Sequence, residues 1–244
     1  MILSRSLRLE DYDELAEEVR FVDEIQCQVG PPHPVHGRQH THRRWEYALA
    51  YRALKDVFGA VQRLRIGDFG CGIGLWAPML LALGHRVTLY EIWTCENEEW
   101  FVIQQMESVR RARGLEANWQ IRHVAIGDLG DADRDFDAAY CISTLEHIRN
   151  ERGAFVDLCR SVRPGGLLFL TVDFGSQESE IVMANNAFQR MYTKALMERL
   201  VDYAEEEGLG LLGGTADWNY TVPLVHSYSF ASIALVKQPG VGVG

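Results

Sequence analysis

Lysine is nearly absent from this 244-residue chain: only Lys55, Lys194 and Lys237 occur, and arginine carries most of the positive charge. With 24 basic and 34 acidic side chains the formal net charge is −10. This argues against a basic tail or arm and against broad, sequence-independent attraction to nucleic acid or to an anionic membrane. There is no C-x-x-C, and the five cysteines (Cys27, Cys71, Cys95, Cys141 and Cys159) are odd in number and widely spaced. Neither a disulfide framework nor a cysteine zinc site is indicated, and the thiols are expected to be reduced. No apolar run approaches membrane-spanning length, and residues 1–20 are too charged for a signal peptide. The expectation is a soluble, cytoplasmic protein with no nucleic-acid or membrane partner.

What is present is one sizeable core, since 47% of the residues are hydrophobic, and a single domain over residues 1–244 is expected. The informative stretch is Leu64 to Ala77, LRIGDFGCGIGLWA. Leu64 and Ile66 suit a buried parallel strand, with Asp68 at its carboxyl end. Gly70, Gly72 and Gly74 then allow a tight turn and a close backbone approach to a ligand. A helix follows from near Leu75, with Pro78 in its first turn and Gly84 as its cap. Gly72, Gly74 and Ala77 also satisfy the dinucleotide pattern G-x-G-x-x-A, so the glycines alone leave a nicotinamide or flavin ligand open. Asp68 tips the balance, because a carboxylate there suits a cationic ligand and repels a diphosphate.

Further along, HRVTLYE reads as a second parallel strand with Glu91 at its end, placed to accept hydrogen bonds from ribose hydroxyls. WQIRHVAIGDL reads as a third strand ending at Asp128. FDAAYCISTLEHI reads as a fourth, buried from Ala138 to Ile142, which opens into Ser143, Thr144, Glu146 and His147. LCRSVRPGGLLFLTV supplies a helix end, a Pro164-Gly165-Gly166 turn and a fifth strand. YSFASIALVKQP is a final strand, with a shorter one before it at Leu209 to Gly213.

D-x-G-x-G-x-G at Asp68 to Gly74, STLEHI after the fourth strand and R-P-G-G before the fifth resemble class I S-adenosylmethionine-dependent methyltransferases of the small-molecule type. The resemblance runs from about Arg43 to Pro239. It implies an α/β, doubly wound, Rossmann-like sheet of seven strands, mostly parallel with an antiparallel last strand, and helices on both faces. It implies S-adenosylmethionine as cofactor, with S-adenosylhomocysteine as product, held by Asp68, Gly70, Cys71, Gly72, Gly74, Glu91, Ile92, Asp128, Leu129, Ile142 and Ser143. Asp128 would accept from the adenine amino group, and Leu129 would offer its backbone N–H to the ring. The activity implied is methyl transfer to a small-molecule or glycan-type acceptor, preferably at oxygen. A nicotinamide-dependent oxidoreductase and a non-catalytic binding module remain the alternatives.

A hydroxyl acceptor needs its proton removed. His147 is the candidate base, since an unperturbed imidazole has a pKa of about 6.5, with Glu146, Tyr192 and the histidines His33, His36, His40 and His42 as alternatives. Around this core, apolar positions at Leu15, Val19, Val22 and Ile25 mark one helix, and Arg43 to Phe58 reads as another. Residues 1–60 are thus expected to form a helical cap or lid, 61–173 the cofactor-binding core, 174–225 an acceptor-side insertion and 226–239 the final strand. The insertion has no clear period before a helix from Thr193 to Glu207. His33, His36, His40 and His42 lie in a proline-rich linker. A polar flap is expected there in preference to a metal site, because no helical His pair with a catalytic glutamate is present. A monomer or a homodimer is expected.

Overall fold

The computed structural model describes residues 2–8, 10–29, 43–60, 63–93, 96–116, 118–182, 187–220 and 229–239. The histidine-rich linker, including His33, His36, His40 and His42, lies outside them, as do Cys95 and residues 221–228. The architecture is α/β with a seven-stranded, mostly parallel sheet. The chain divides into two compact units, residues 9–125 and residues 1–8 with 126–244.

Strand β1 (Ser4–Arg5) belongs to the second of these. In the first unit, α1 (Asp11–Glu14) and α2 (Ala16–Val29) precede α3 (Arg44–Phe58). Leu15, Val22 and Ile25 are buried as their spacing predicts, while Val19 is half-buried. Trp45 Nε1 donates to Asp11 Oδ2 at 2.9 Å, Phe21 stacks on Tyr51 with ring centroids 4.6 Å apart, and Lys55 pairs with buried Glu18 at 3.0 Å. These contacts join α1, α2 and α3 into one layer.

β2 (Arg65–Phe69), α4 (Trp76–Ala82), β3 (Arg86–Tyr90), α5 (Glu96–Arg113) and β4 (Trp119–Arg122) complete the unit. The strands pair in parallel in the order β4-β3-β2. β2 and β3 each open on an exposed arginine and are then buried to their ends, as parallel strands under packed layers require. The third strand was expected to reach Asp128, but it stops at Arg122. Its partner β3 ends opposite, at Tyr90, and leaves nothing further to pair with.

The second unit runs through β5 (Phe136–Ile142), α6 (Glu151–Ser161), β6 (Val162–Phe174), β7 (Ser179–Val182), β8 (Phe188–Met191), α7 (Lys194–Glu206), β9 (Leu209–Leu211), β10 (Ala216–Asp217) and β11 (Ser229–Lys237). Its large strands follow the order β5-β6-β11-β9, with β11 antiparallel to both neighbours. Pro164-Gly165-Gly166 is not a turn before the strand but a bulge inside it: Phe136 faces Val162, whereas Ala138 already faces Leu167. A Cβ on Gly166 would lie 2.8 Å from the Arg163 carbonyl oxygen and 2.9 Å from that of Asp137, so no side chain fits there. The insertion contains a hairpin, β7–β8. β1 pairs in parallel with β10, and Ser232 Oγ donates to the Leu3 carbonyl at 2.8 Å.

Among the described residues, no helix is long and apolar enough to cross a membrane, and no group of three or more His, Cys, Asp or Glu side chains could hold a metal ion.

Candidate active site

In the first unit the site is built at the carboxyl ends of β2 and β3. Asp68, the fourth residue of β2, is buried, and no hydrogen bond or ion pair to its carboxylate occurs among the described residues. Burial, reinforced by the Glu91 carboxylate, pushes its pKa up to about 8. The chain then turns through Gly70 (φ +71°) and Gly72 (φ +49°). The Tyr90 carbonyl accepts from the N–H groups of both Gly70 (2.8 Å) and Cys71 (3.3 Å), which ties the loop to the end of β3. The next residue, Glu91, accepts from the Gly72 N–H at 2.8 Å through Oε2 and from the Ile92 N–H at 2.9 Å through Oε1. Both oxygens are thereby oriented while keeping lone pairs for further donors.

The arrangement fits a cationic nucleoside. Nothing lies within 4 Å of where a Cβ on Gly72 would stand, so the loop keeps an open cradle there. The buried carboxylate of Asp68 has the Glu91 charge near it and no cation among the described residues. Ile92, next to Glu91, leaves an apolar side chain 59% exposed. Burial first, then the nearby Asp68 and Glu91 charges, push the Cys71 thiol well up.

One residue at this loop has no counterpart in the sequence reading. Tyr47, on α3, is buried, and its hydroxyl oxygen accepts from the Leu75 N–H at 3.2 Å. A Cβ on Gly74 would lie 2.9 Å from that oxygen. Burial pushes the phenol up to about 12, so it remains a neutral wedge against the glycine loop. Its ring stacks on Trp76 at 6.2 Å, the first residue of α4. No local pattern marks this tyrosine, because the contact joins two segments far apart in the chain.

In the second unit, Ile142 closes β5 and Ser143 follows in the left-handed region (φ +46°), which serine adopts rarely. Its N–H is held by both the carbonyl and the Oγ1 of Thr171, each at 3.1 Å. Leu145 to His147 form a single 3₁₀ turn. Glu146 is fully buried, whereas His147 is exposed, so the two candidates face different surroundings. Nδ1 of His147 lies 3.0 Å from the carbonyl oxygen of Phe188. A carbonyl can only accept, so Nδ1 carries the proton and the neutral ring keeps its lone pair on Nε2. Tyr192 is fully buried, and burial with the nearby Glu151 charge pushes its phenol up, which removes it as a base. Asp128 is exposed, and the Leu129 N–H reaches Asp157 Oδ2 at 3.4 Å.

A family model described as a methyltransferase domain matches residues 38–221. The chain belongs to the methyltransferase domain family. The resemblance read from Asp68 to Gly74 therefore holds. A ubiquinone biosynthesis O-methyltransferase of Xanthomonas oryzae pv. oryzae (strain PXO99A) is 30% identical over 145 residues, which cover 58% of this methyltransferase-family chain and 53% of that protein. An O-methyltransferase of Aspergillus nomiae, rstn1, is 30% identical over 134 residues, covering 54% and 57%. The chain thus spans about half the length of the curated relatives it matches. Among solved structures, the 1,6-didemethyltoxoflavin-N1-methyltransferase of Burkholderia thailandensis has a TM-score of 0.60 at 15% identity, covering 96% of this chain and 92% of that one. The [4+2]-cyclase SpnF has a TM-score of 0.56 at 15% identity, covering 94% of both. At such identity these two likenesses concern the fold alone.

Proposed function

We propose that this protein transfers a methyl group from S-adenosylmethionine to a hydroxyl of a small-molecule or glycan-type acceptor. The observation that carries the donor half is the buried, cation-free carboxylate of Asp68 beside the open glycine loop. When bound, S-adenosylmethionine supplies an electrophilic sulfonium methyl. Asp68 holds the methionine ammonium, and Gly70, Cys71, Gly72 and Gly74 let the backbone approach. Glu91 accepts from the ribose hydroxyls, and Ile92 covers the adenine.

The acceptor half rests on His147. With Nδ1–H committed to Phe188, Nε2 is placed to take the acceptor's proton as its oxygen attacks. Within the second unit, a cavity of about 470 Å³ is lined by Phe174, Lys194, Trp218 and Tyr220, in the insertion expected to recognise the acceptor. Phe174 and Trp218 are buried behind it, and Glu178, Lys194 and Asn219 line it as polar partners suited to a hydroxylated acceptor. Oxygen acceptors are further supported by the names of the two O-methyltransferase relatives.

The test is a panel of phenols, catechols and sugar hydroxyls incubated with methyl-labelled donor, for the native protein and His147→Ala. Label on an oxygen acceptor, lost about a hundredfold or more in the variant while donor binding stays intact, supports the reading. Label carried only to nitrogen, or undiminished in His147→Ala, overturns the base assignment.

A further inference from the structure

A buried cation links the β7–β8 hairpin to the turn that carries His147. Arg190, on β8, has a side chain only 9% exposed. Its Nη1 donates to Glu151 Oε2 at 2.9 Å, and Nε and Nη2 donate to Glu180 Oε1 at 3.1 and 2.9 Å. Nη1 also lies 3.5 Å from the Ile148 carbonyl oxygen. The guanidinium is 5.1 Å from the centroid of the Phe188 ring, on the residue whose carbonyl meets His147. Arg199 donates to the other oxygen of Glu151 at 3.1 Å.

Burying a guanidinium is costly unless it is paired and its donors are used. Here one planar fork engages both strands of the hairpin and the first residue of α6. That start lies four residues beyond His147, and Ile148, on the same fork, is its immediate neighbour. The group that accepts from His147 and the backbone that carries His147 are therefore fixed to the same cation. A lysine, as a point charge without the fork, cannot hold Glu180 and Glu151 in that geometry together.

We propose that Arg190 is a positioning residue that keeps the Phe188 carbonyl on Nδ1 of His147 and so holds the ring in the tautomer with its lone pair on Nε2. The inference rests on the assignment of His147 as the base, but its test does not. Loosening the hairpin lets the ring exchange its partner, and both tautomers become populated.

The experiment is nitrogen-15 histidine NMR on the full chain at about pH 9, where ordinary imidazoles are neutral, with the His147 signal assigned by its loss in His147→Gln. The native protein is expected to give the Nδ1–H pattern alone. Arg190→Lys is expected to give a mixture, with kcat falling about tenfold and donor KM unchanged. Since Arg190→Lys replaces the fork that holds buried Glu151, Glu180→Gln is the second variant. It breaks the fork on its exposed side only and should give a smaller admixture. A native Nε2–H pattern, or an unchanged native tautomer in either folded variant, overturns the proposal. If His147→Ala keeps full turnover, the base assignment falls while the spectra still decide what Arg190 does.

Discussion

The hydroxyl of Tyr47 and the backbone N–H of Leu75, 3.2 Å apart, join the third helix to the end of the glycine loop. Tyr47 is thereby the element that fixes the depth of that loop, because Gly74 passes with no room for a Cβ beneath the same oxygen. Tyr47→Phe leaves the Leu75 N–H without its partner in a buried place, a cost of about 1 kcal/mol. The expected outcome is an S-adenosylhomocysteine Kd raised about fivefold and a Tm lowered by a few degrees, read by calorimetry and thermal melts. An unchanged Kd would remove Tyr47 from the donor site.

Gly72 separates strain from ligand space. Its φ of +49° makes Gly72→Ala costly by about 1 kcal/mol in the folded protein, although the added methyl meets nothing within 4 Å. Donor affinity should fall more than tenfold, well beyond that loss of stability, because the methyl occupies the open cradle. Equal losses in both would mean that the cradle holds no ligand.

The pH dependence follows from Asp68. Its folded pKa is about 8 against an ordinary value of 3.8, so between these values the folded state binds more protons than the unfolded one. Stability of the free protein therefore falls as pH rises through that window. A cationic ligand binds the ionised carboxylate, so its affinity should rise with pH by up to about tenfold per unit and level off near 8. Asp68→Asn should flatten that slope and weaken binding. A native affinity independent of pH from 6 to 9 (about the accessible range) would contradict this role.

These features differ in how far the sequence discloses them. Asp68, the three glycines and Glu91 are legible because a tight turn at a strand end is dictated locally by residue type. Tyr47 is not, since its role exists only through packing between distant segments. The β7–β8 hairpin escapes for another reason: all four residues of β7 are exposed, so the strand shows no alternation, and only the four of β8 alternate. The bulge at Gly165 and Gly166 carries the same residue types as a turn, and only the register of β5 against β6 distinguishes the two. The strain at Ser143 has no sequence signal, as serine is not a residue that marks positive φ.

That strain can be tested. Ser143→Gly should raise the Tm, the relief of the left-handed φ outweighing the entropy lost to glycine, by about 1 kcal/mol at most. Turnover should fall if the serine faces the donor. Higher stability with unchanged turnover would make the conformation a feature of the strand end alone.

The most direct measurement is calorimetry of S-adenosylhomocysteine against the folded full chain, with reduced nicotinamide cofactor as the control. A single saturable site for S-adenosylhomocysteine, weakened in Asp68→Asn, and none for the nicotinamide is the predicted result. Tight nicotinamide binding, or no heat with S-adenosylhomocysteine from a folded sample, would contradict the account.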